Sequence, residues 1–317
     1  MSMADTPPAD LLDGRPALVV GGGRMGLAIA QVLAVAGIAV TVVEPHAPMR
    51  QSARERLSRI FRVLDQDEAL GDRISVVAEM GERAPDVALA IEAVHEQLDL
   101  KRAVFRQLEA ACPPDAILAT NTSVIPIGRV AADLRYRGRV VGTHFWNPPY
   151  LVRLVEVVRA DQTSEETMQR TMALMKAVGQ LPVRVNRDVP GFIGNRLQHA
   201  LKREAIALVQ AGVCDAETVD FVVKNSFGAR LGIMGPLEQS DLVGLDLTLA
   251  IHRIILPDLD ASTAPQQLLV DLVAAGHTGA AVGRGFRAWT AEGRQELQSR
   301  LDRYVAGTRR GIEGAQS

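Results

Sequence analysis

The sequence predicts an α/β chain in which a doubly wound, mostly parallel sheet is followed by an all-α C-terminal domain. Three observations predict it. Short β-rich apolar runs alternate with helix-length amphipathic segments from Ala17 to Val185, the pattern of successive βαβ units. A glycine-rich turn, Gly21-Gly-Gly-Arg-Met-Gly26, joins the first apolar run to the first helical segment. Beyond Pro190-Gly191 the alternation stops and helical periodicity takes over, as expected where a strong turn signal marks a boundary.

The elements follow in order. Ala17 to Val20 reads as a buried parallel strand, since both faces are apolar. Leu27 to Ala36 reads as a helix closed by Gly37, and Ala39 to Val43 as a second strand ending on Glu44. Arg50 to Leu64 is charged and amphipathic, so a surface helix is expected. Strands are expected at Ile74 to Ala78, Val87 to Val94, Ile117 to Thr120, Val140 to His144, Leu154 to Val158 and Leu181 to Val185. Helices are expected at Leu98 to Ala111, Glu165 to Val178 and Phe192 to Ala211. These place a loose N-terminal tail at 1–14, a nucleotide-binding domain at 15–188 and a helical domain at 189–317.

Gly21, Gly23 and Gly26 satisfy G-x-G-x-x-G. Their roles differ: a tight turn out of the strand, close backbone approach to a pyrophosphate, and close packing of helix on strand. The helix start then offers free N–H groups and a positive dipole end. A glycine turn alone is a weak signal. Here a strand precedes it, a helix and second strand follow, and an acid, Glu44, stands 18 residues past Gly26. That context specifies a Rossmann-type dinucleotide site. Glu44 suits the ribose hydroxyls and would repel a 2′-phosphate, which favours NAD over NADP.

Composition sets limits. The formal net charge is −2 over 317 residues, so no basic excess points to nucleic acid or an anionic membrane. The two cysteines, Cys112 and Cys214, form no CxxC, which argues against a metal site and fits a reducing, cytoplasmic compartment. The first 14 residues carry no basic-then-apolar leader pattern. The apolar stretch from Ala17 to Val43 is broken by Arg24 and glycines and reads as strand–helix–strand, not a span.

Strand C-termini are where such sheets bind ligands, and Asn121-Thr-Ser123 and His144 follow two of them. Four stretches together resemble the 3-hydroxyacyl-CoA dehydrogenase family: Asn121-Thr-Ser123, Gly142-Thr-His-Phe-Trp-Asn-Pro148, Leu154-Val-Glu-Val-Val158 and Val189-Pro-Gly-Phe-Ile-Gly-Asn-Arg-Leu197. The turn with Met25, Met234-Gly-Pro236, Gly244-Leu-Asp246 and Gly283-Arg-Gly-Phe286 extend the likeness to about Trp289.

The resemblance implies a hydride transfer from a secondary alcohol to NAD. It makes His144 the general base and Glu156 the acid on its other ring nitrogen. Ser123 and Asn195 would bind the substrate oxygen, and Glu92, Lys101 and Asn147 would lie around the cofactor. A histidine suits proton transfer near neutrality. A glutamate inside an apolar strand is costly unless paired, which independently favours a Glu156 partner. A homodimer, small-molecule substrate and fatty acid metabolism are also implied. The apolar segments Leu201 to Val209 and Leu242 to Ile255 are candidate interfaces.

The substrate stays open. The first expectation is an L-3-hydroxyacyl-CoA. The alternative is the same chemistry on a free hydroxy acid or small alcohol. The sequence Asn147-Pro-Pro-Tyr150 and the longer run Ser226 to Pro236 are more similar to lambda-crystallin (an L-gulonate dehydrogenase), carnitine dehydrogenase and the pyridine-ring dehydrogenase of vitamin B6 breakdown. Arg230 in that run is a candidate for a substrate carboxylate. The segment Arg50 to Val76 lacks the lysines that hold CoA in the family, although Arg50, Arg54, Arg56, Arg59 and Arg62 could replace them. A third reading is a non-catalytic NAD-binding protein of the crystallin kind.

Overall fold

A computed structural model describes residues 7–315. The chain forms two compact units, one running to residue 196 and rejoined from 305, the other spanning 197–304.

The first unit is an eight-stranded sheet. Its strands are β1 (Ala17–Val20), β2 (Val40–Val43), β3 (Ile74–Val77), β4 (Leu89–Glu92), β5 (Ile117–Thr120), β6 (Val140–Phe145), β7 (Leu154–Val158) and β8 (Leu181–Val185). The order is β3-β2-β1-β4-β5-β6-β7-β8. The first six run parallel; β7 pairs antiparallel with β6, and β8 runs parallel to β7. Parallel strands need a crossover of a dozen or more residues. Only residues 146–153 join β6 to β7, so the chain must double back there. All eight strands fall where the sequence predicts them.

Helices cover both faces: α1 (Arg24–Val35), α2 (Ala47–Gln51), α3 (Ala53–Val63), α4 (Leu98–Ala111), α5 (Ile127–Val130) and α6 (Glu165–Ala177). Alternate residues of β1 serve opposite faces. Ala17 and Val19 join a core with Leu27, Ile29 and Leu33 of α1 and Leu57 and Phe61 of α3; Leu18 and Val20 join one with Phe105 and Leu108 of α4. Burial on both sides explains why these strands are apolar throughout.

Two expectations need correction. The helix expected from Arg50 to Leu64 is two, divided at Ser52. The expected loose tail does not hold over its second half: Asp10–Leu12 make a 3-10 turn, and Leu12 is fully buried in the α1 core. Residues 1–6 of that tail lie outside the described residues.

α7 (Gly194–Gln210) leads into the second unit, which continues with α8 (Ala216–Asn225), α9 (Pro236–Val243), α10 (Leu245–Ile255), α11 (Gln267–Ala274) and the start of α12 (Ala291–Ala315). Asp215 caps α8 through the Thr218 amide at 2.8 Å. No residue from 197 to 304 is buried in the single chain. Among the described residues no helix is long and apolar enough to cross a membrane.

Candidate active site

The strand order reverses beside β1, which lies between β2 and β4. That opens a crevice beyond the strand ends. Gly21 leaves β1 with φ 111°, a value glycine adopts freely. A Cβ on Gly26 would penetrate the Gly21 carbonyl oxygen, so only glycine lets α1 approach β1 this closely. At Gly23 a Cβ would meet nothing within 4 Å and would fill the open cradle in front of α1. No side chain caps the start of α1, so its first amides can take a pyrophosphate. The cradle therefore fits the dinucleotide. The Met25 side chain, partly buried, packs against the α1 core.

Glu44 ends β2. Its Oε2 accepts from the Gly22 amide at 2.9 Å and its Oε1 from the His46 amide at 2.9 Å. This fixes the carboxylate beside the glycine turn. Arg56 donates to the Gly22 carbonyl at 2.9 Å, and Arg50 to the Glu44 carbonyl at 2.9 Å. The other arginines of α3 meet neighbouring acids: Arg54 with Asp72, Arg59 with Glu55, Arg62 with Glu68.

The antiparallel pairing of β6 and β7 sets His144 directly opposite Glu156, and directly opposed side chains meet on one face. Nδ1 of His144 donates to Oε2 of Glu156 at 2.7 Å, since an ionised carboxylate only accepts. This leaves Nε2 as the ring's free nitrogen. Both residues are buried, Glu156 to 1% exposure. Its second oxygen accepts from the Ile193 and Gly194 amides at 2.9 and 3.1 Å. Burial pushes the Glu156 carboxyl up, but the His144 bond and the two amides outweigh it and hold it below the ordinary carboxylate range. Positive φ at Gly191 (76°) and Phe192 (51°) turns the chain to present those amides. The turn also lays Phe192 against the His144 ring, centroids 5.6 Å apart, with Trp146 at 5.3 Å from that ring.

Asn121 directly follows β5, and its Oδ1 accepts from the Phe145 amide at 2.9 Å, tying the β5 and β6 rims together. Ser123, two residues on, is partly exposed. Asn195, in the first turn of α7, donates from Nδ2 to the Ser123 carbonyl at 3.0 Å. The structure thus joins Ser123 to Asn195, and His144 to Glu156. Asn147 is exposed after β6, before a cis peptide to Pro148.

Glu92 and Lys101 sit beneath the rim, 0% and 1% exposed. Lys101 Nζ bonds both Glu92 oxygens, at 2.8 and 3.0 Å. Both are tied into a wider network, since Glu92 also accepts from Thr120 Oγ1 and the Val94 amide and Lys101 also meets Glu96. Glu96, which the sequence reading passed over, lies on the rim. It accepts from Thr122 and from the amides of Ser123 and Val124 at 3.0 and 3.1 Å. Arg230 lies exposed in the second unit, ending a 3-10 turn from Phe227.

The family model for the 3-hydroxyacyl-CoA dehydrogenase NAD binding domain matches residues 17–189, and that for the C-terminal domain matches 191–289. The chain belongs to the 3-hydroxyacyl-CoA dehydrogenase family. Among its relatives, 5-formyl-3-hydroxy-2-methylpyridine 4-carboxylate 5-dehydrogenase of Mesorhizobium japonicum is 32% identical over 306 residues, covering 94% of this chain and 98% of that one. A probable 3-hydroxybutyryl-CoA dehydrogenase of Bacillus subtilis is 38% identical over 280 residues, covering 85% and 95%. A crystal structure of the pyridine carboxylate 5-dehydrogenase, described as an NAD+ dependent dismutase, superposes with a TM-score of 0.88 at 31% identity, covering 95% of this chain and 99% of that one. As a member of this family, the chain is an NAD-dependent dehydrogenase acting on hydroxyl groups.

Proposed function

We propose that the His144–Glu156 pair is the proton-handling centre for oxidation of a secondary alcohol, and that the alcohol is a compact, carboxylate-bearing molecule without CoA. NAD, when bound, accepts the hydride. His144 takes the hydroxyl proton on Nε2, and Glu156 stabilises the imidazolium so formed. Ser123 and Asn195 steady the substrate oxygen as charge develops on it. Gly21, Gly23, Gly26 and the Met25 backbone hold the pyrophosphate, and Glu44 the adenosine ribose.

The observation that carries the substrate class is the state of the arginines of α2 and α3. Arg54, Arg59 and Arg62 pair with acids beside them, and Arg50 and Arg56 brace backbone carbonyls. These are ordinary solvated helix faces, and none of these arginines stands free for a nucleotide phosphate. The pyridine carboxylate relative also matches more of the chain than the acyl-CoA relative does. Arg230 is the proposed partner for the substrate carboxylate.

The second reading, an L-3-hydroxyacyl-CoA substrate, is favoured by the higher identity to the 3-hydroxybutyryl-CoA relative, 38% against 32%. NADH formation at alkaline pH separates the two. L-Gulonate and L-carnitine are compared with (S)-3-hydroxybutyryl-CoA. A free acid should win in kcat/KM, and Arg230→Ala should raise its KM about tenfold or more, the loss of one charge-assisted bond. Turnover of the CoA ester alone would decide for the second reading. An unchanged KM would remove Arg230 from the site.

We also propose a homodimer through the second unit. Leu242, Leu245, Ile254 and Leu237 are 75%, 62%, 81% and 79% exposed in the single chain. An apolar surface of that extent marks an interaction site, and a second copy supplies the same apolar segments in return. Sedimentation should find two chains per particle at micromolar concentration; a monomer there would end this proposal. The two free cysteines, Cys112 and Cys214, keep the cytoplasm as the proposed location.

A further inference from the structure

We propose that Glu96 is a positioning residue for the reaction, the anion around which the Ser123 loop is wound. The inference rests on the reading of Ser123 as a donor to the substrate oxygen.

One carboxylate oxygen, Oε1 of Glu96, gathers four donors from a single loop. They are the Thr122 hydroxyl and the amides of Ser123, Val124 and Ile125, the amides at 3.0, 3.1 and 3.4 Å. Thr122 Oγ1 in turn accepts from the Ile125 amide at 3.0 Å. Consecutive amides converging on one point form a nest for an anion. Here the chain fills the nest with its own side chain, reached from 27 residues away. The nest is therefore a device for shaping the loop rather than a phosphate site.

The other oxygen, Oε2, faces Lys101 Nζ at 3.2 Å. Lys101 is held from beneath by Glu92, whose oxygens also accept from Thr120 Oγ1 at 2.7 Å and the Val94 amide at 2.7 Å. A row of alternating charges, Glu92, Lys101, Glu96, thus runs from the buried end of β4 to the loop. Burial lifts the Glu96 carboxyl, but Thr122 and Lys101 outweigh it and keep it below the usual carboxylate range. Its charge is therefore present wherever the enzyme works. On the far side, the Ser123 carbonyl takes the Asn195 amide. The Ser123 peptide is gripped at its N–H by Glu96 and at its C=O by Asn195. Only the hydroxyl is left to reorient.

A donor displaced by about 1 Å can cost about 10²-fold in rate. Glu96→Ala should therefore lower kcat by roughly that factor, with the KM for NAD within about twofold. Glu96→Gln, which keeps an oxygen for the amides, should recover most of it. The decisive measurement is a double-mutant cycle with Ser123→Ala. If Glu96 acts through Ser123, the double variant is no slower than Ser123→Ala alone. Multiplying losses would show Glu96 acting on its own and overturn the proposal. So would a raised KM for NAD with kcat intact, or full activity in Glu96→Ala. Should Glu96→Ala fail to fold, Glu96→Leu, which fills the space without accepting from the amides, runs the same cycle. Wild-type activity in Ser123→Ala is a separate outcome: it removes the reading of Ser123 itself, and this inference with it.

Discussion

Replacing His144 with alanine is expected to lower kcat by about 10²- to 10⁴-fold, the usual contribution of a general base. Cofactor binding should be unchanged, because the glycine cradle lies on β1 and α1 while His144 lies on β6. The same change removes a partner from a glutamate that is 1% exposed. Breaking a buried pair on one side costs about 3–5 kcal/mol, so His144→Ala should also unfold at lower denaturant. His144→Gln fills more of the space and offers an amide donor to Glu156. It should regain stability without regaining turnover. Full activity in either variant would remove His144 as the base. Glu156 adds a pH signature. Its carboxyl is held below the ordinary range in the folded chain, so its contribution to stability is fully present above the unfolded carboxylate pKa. That contribution is lost as pH falls through the folded value. Denaturation midpoints followed from pH 7 downward should fall less steeply in Glu156→Gln than in the parent chain.

Gly26→Ala is expected to be as damaging, for a different reason. Its Cβ would fall inside the Gly21 carbonyl oxygen, and both residues are backbone of the same turn. Relief requires α1 to lift from β1, which breaks the packing of Leu27, Ile29 and Leu33 on the sheet. Overpacking of this kind costs about 1–3 kcal/mol and sometimes more, and a lifted helix can no longer aim its first amides at a pyrophosphate. NAD affinity measured by fluorescence titration should fall by at least tenfold, about 1.4 kcal/mol. Gly23→Ala meets no atom within 4 Å. It should therefore leave stability alone while still weakening NAD, which separates crowding of the ligand from damage to the fold. Parent-like NAD affinity in Gly26→Ala would show that the turn can relax.

The central strands β1, β2 and β5 were legible because they are buried on both faces, so each stands out as a short, largely apolar run. The His144–Glu156 pair was legible because a charge inside such a run demands a partner. Glu96 was hidden because its partners are mostly backbone amides of a distant loop, which no side-chain pattern announces. The partner of Lys101 was hidden for a related reason. A lysine in an amphipathic helix reads as solvent-facing or ligand-facing, and only the fold reveals Glu92 beneath it. The burial of Leu12 escaped notice because a lone leucine pair after Pro and Asp carries no periodicity.

Glu156 spends one oxygen on the His144 ring and the other on the amides that start α7. These two attachments are thermodynamically linked. Whatever withdraws the Ile193 and Gly194 amides concentrates negative charge toward the imidazole and makes its protonated form more favourable. By reciprocity, each protonation of His144 alters the hold on that helix start by the same free energy. Under the proposed role of His144, the proton taken from the substrate is therefore also an effector of the chain segment on which Asn195 is mounted.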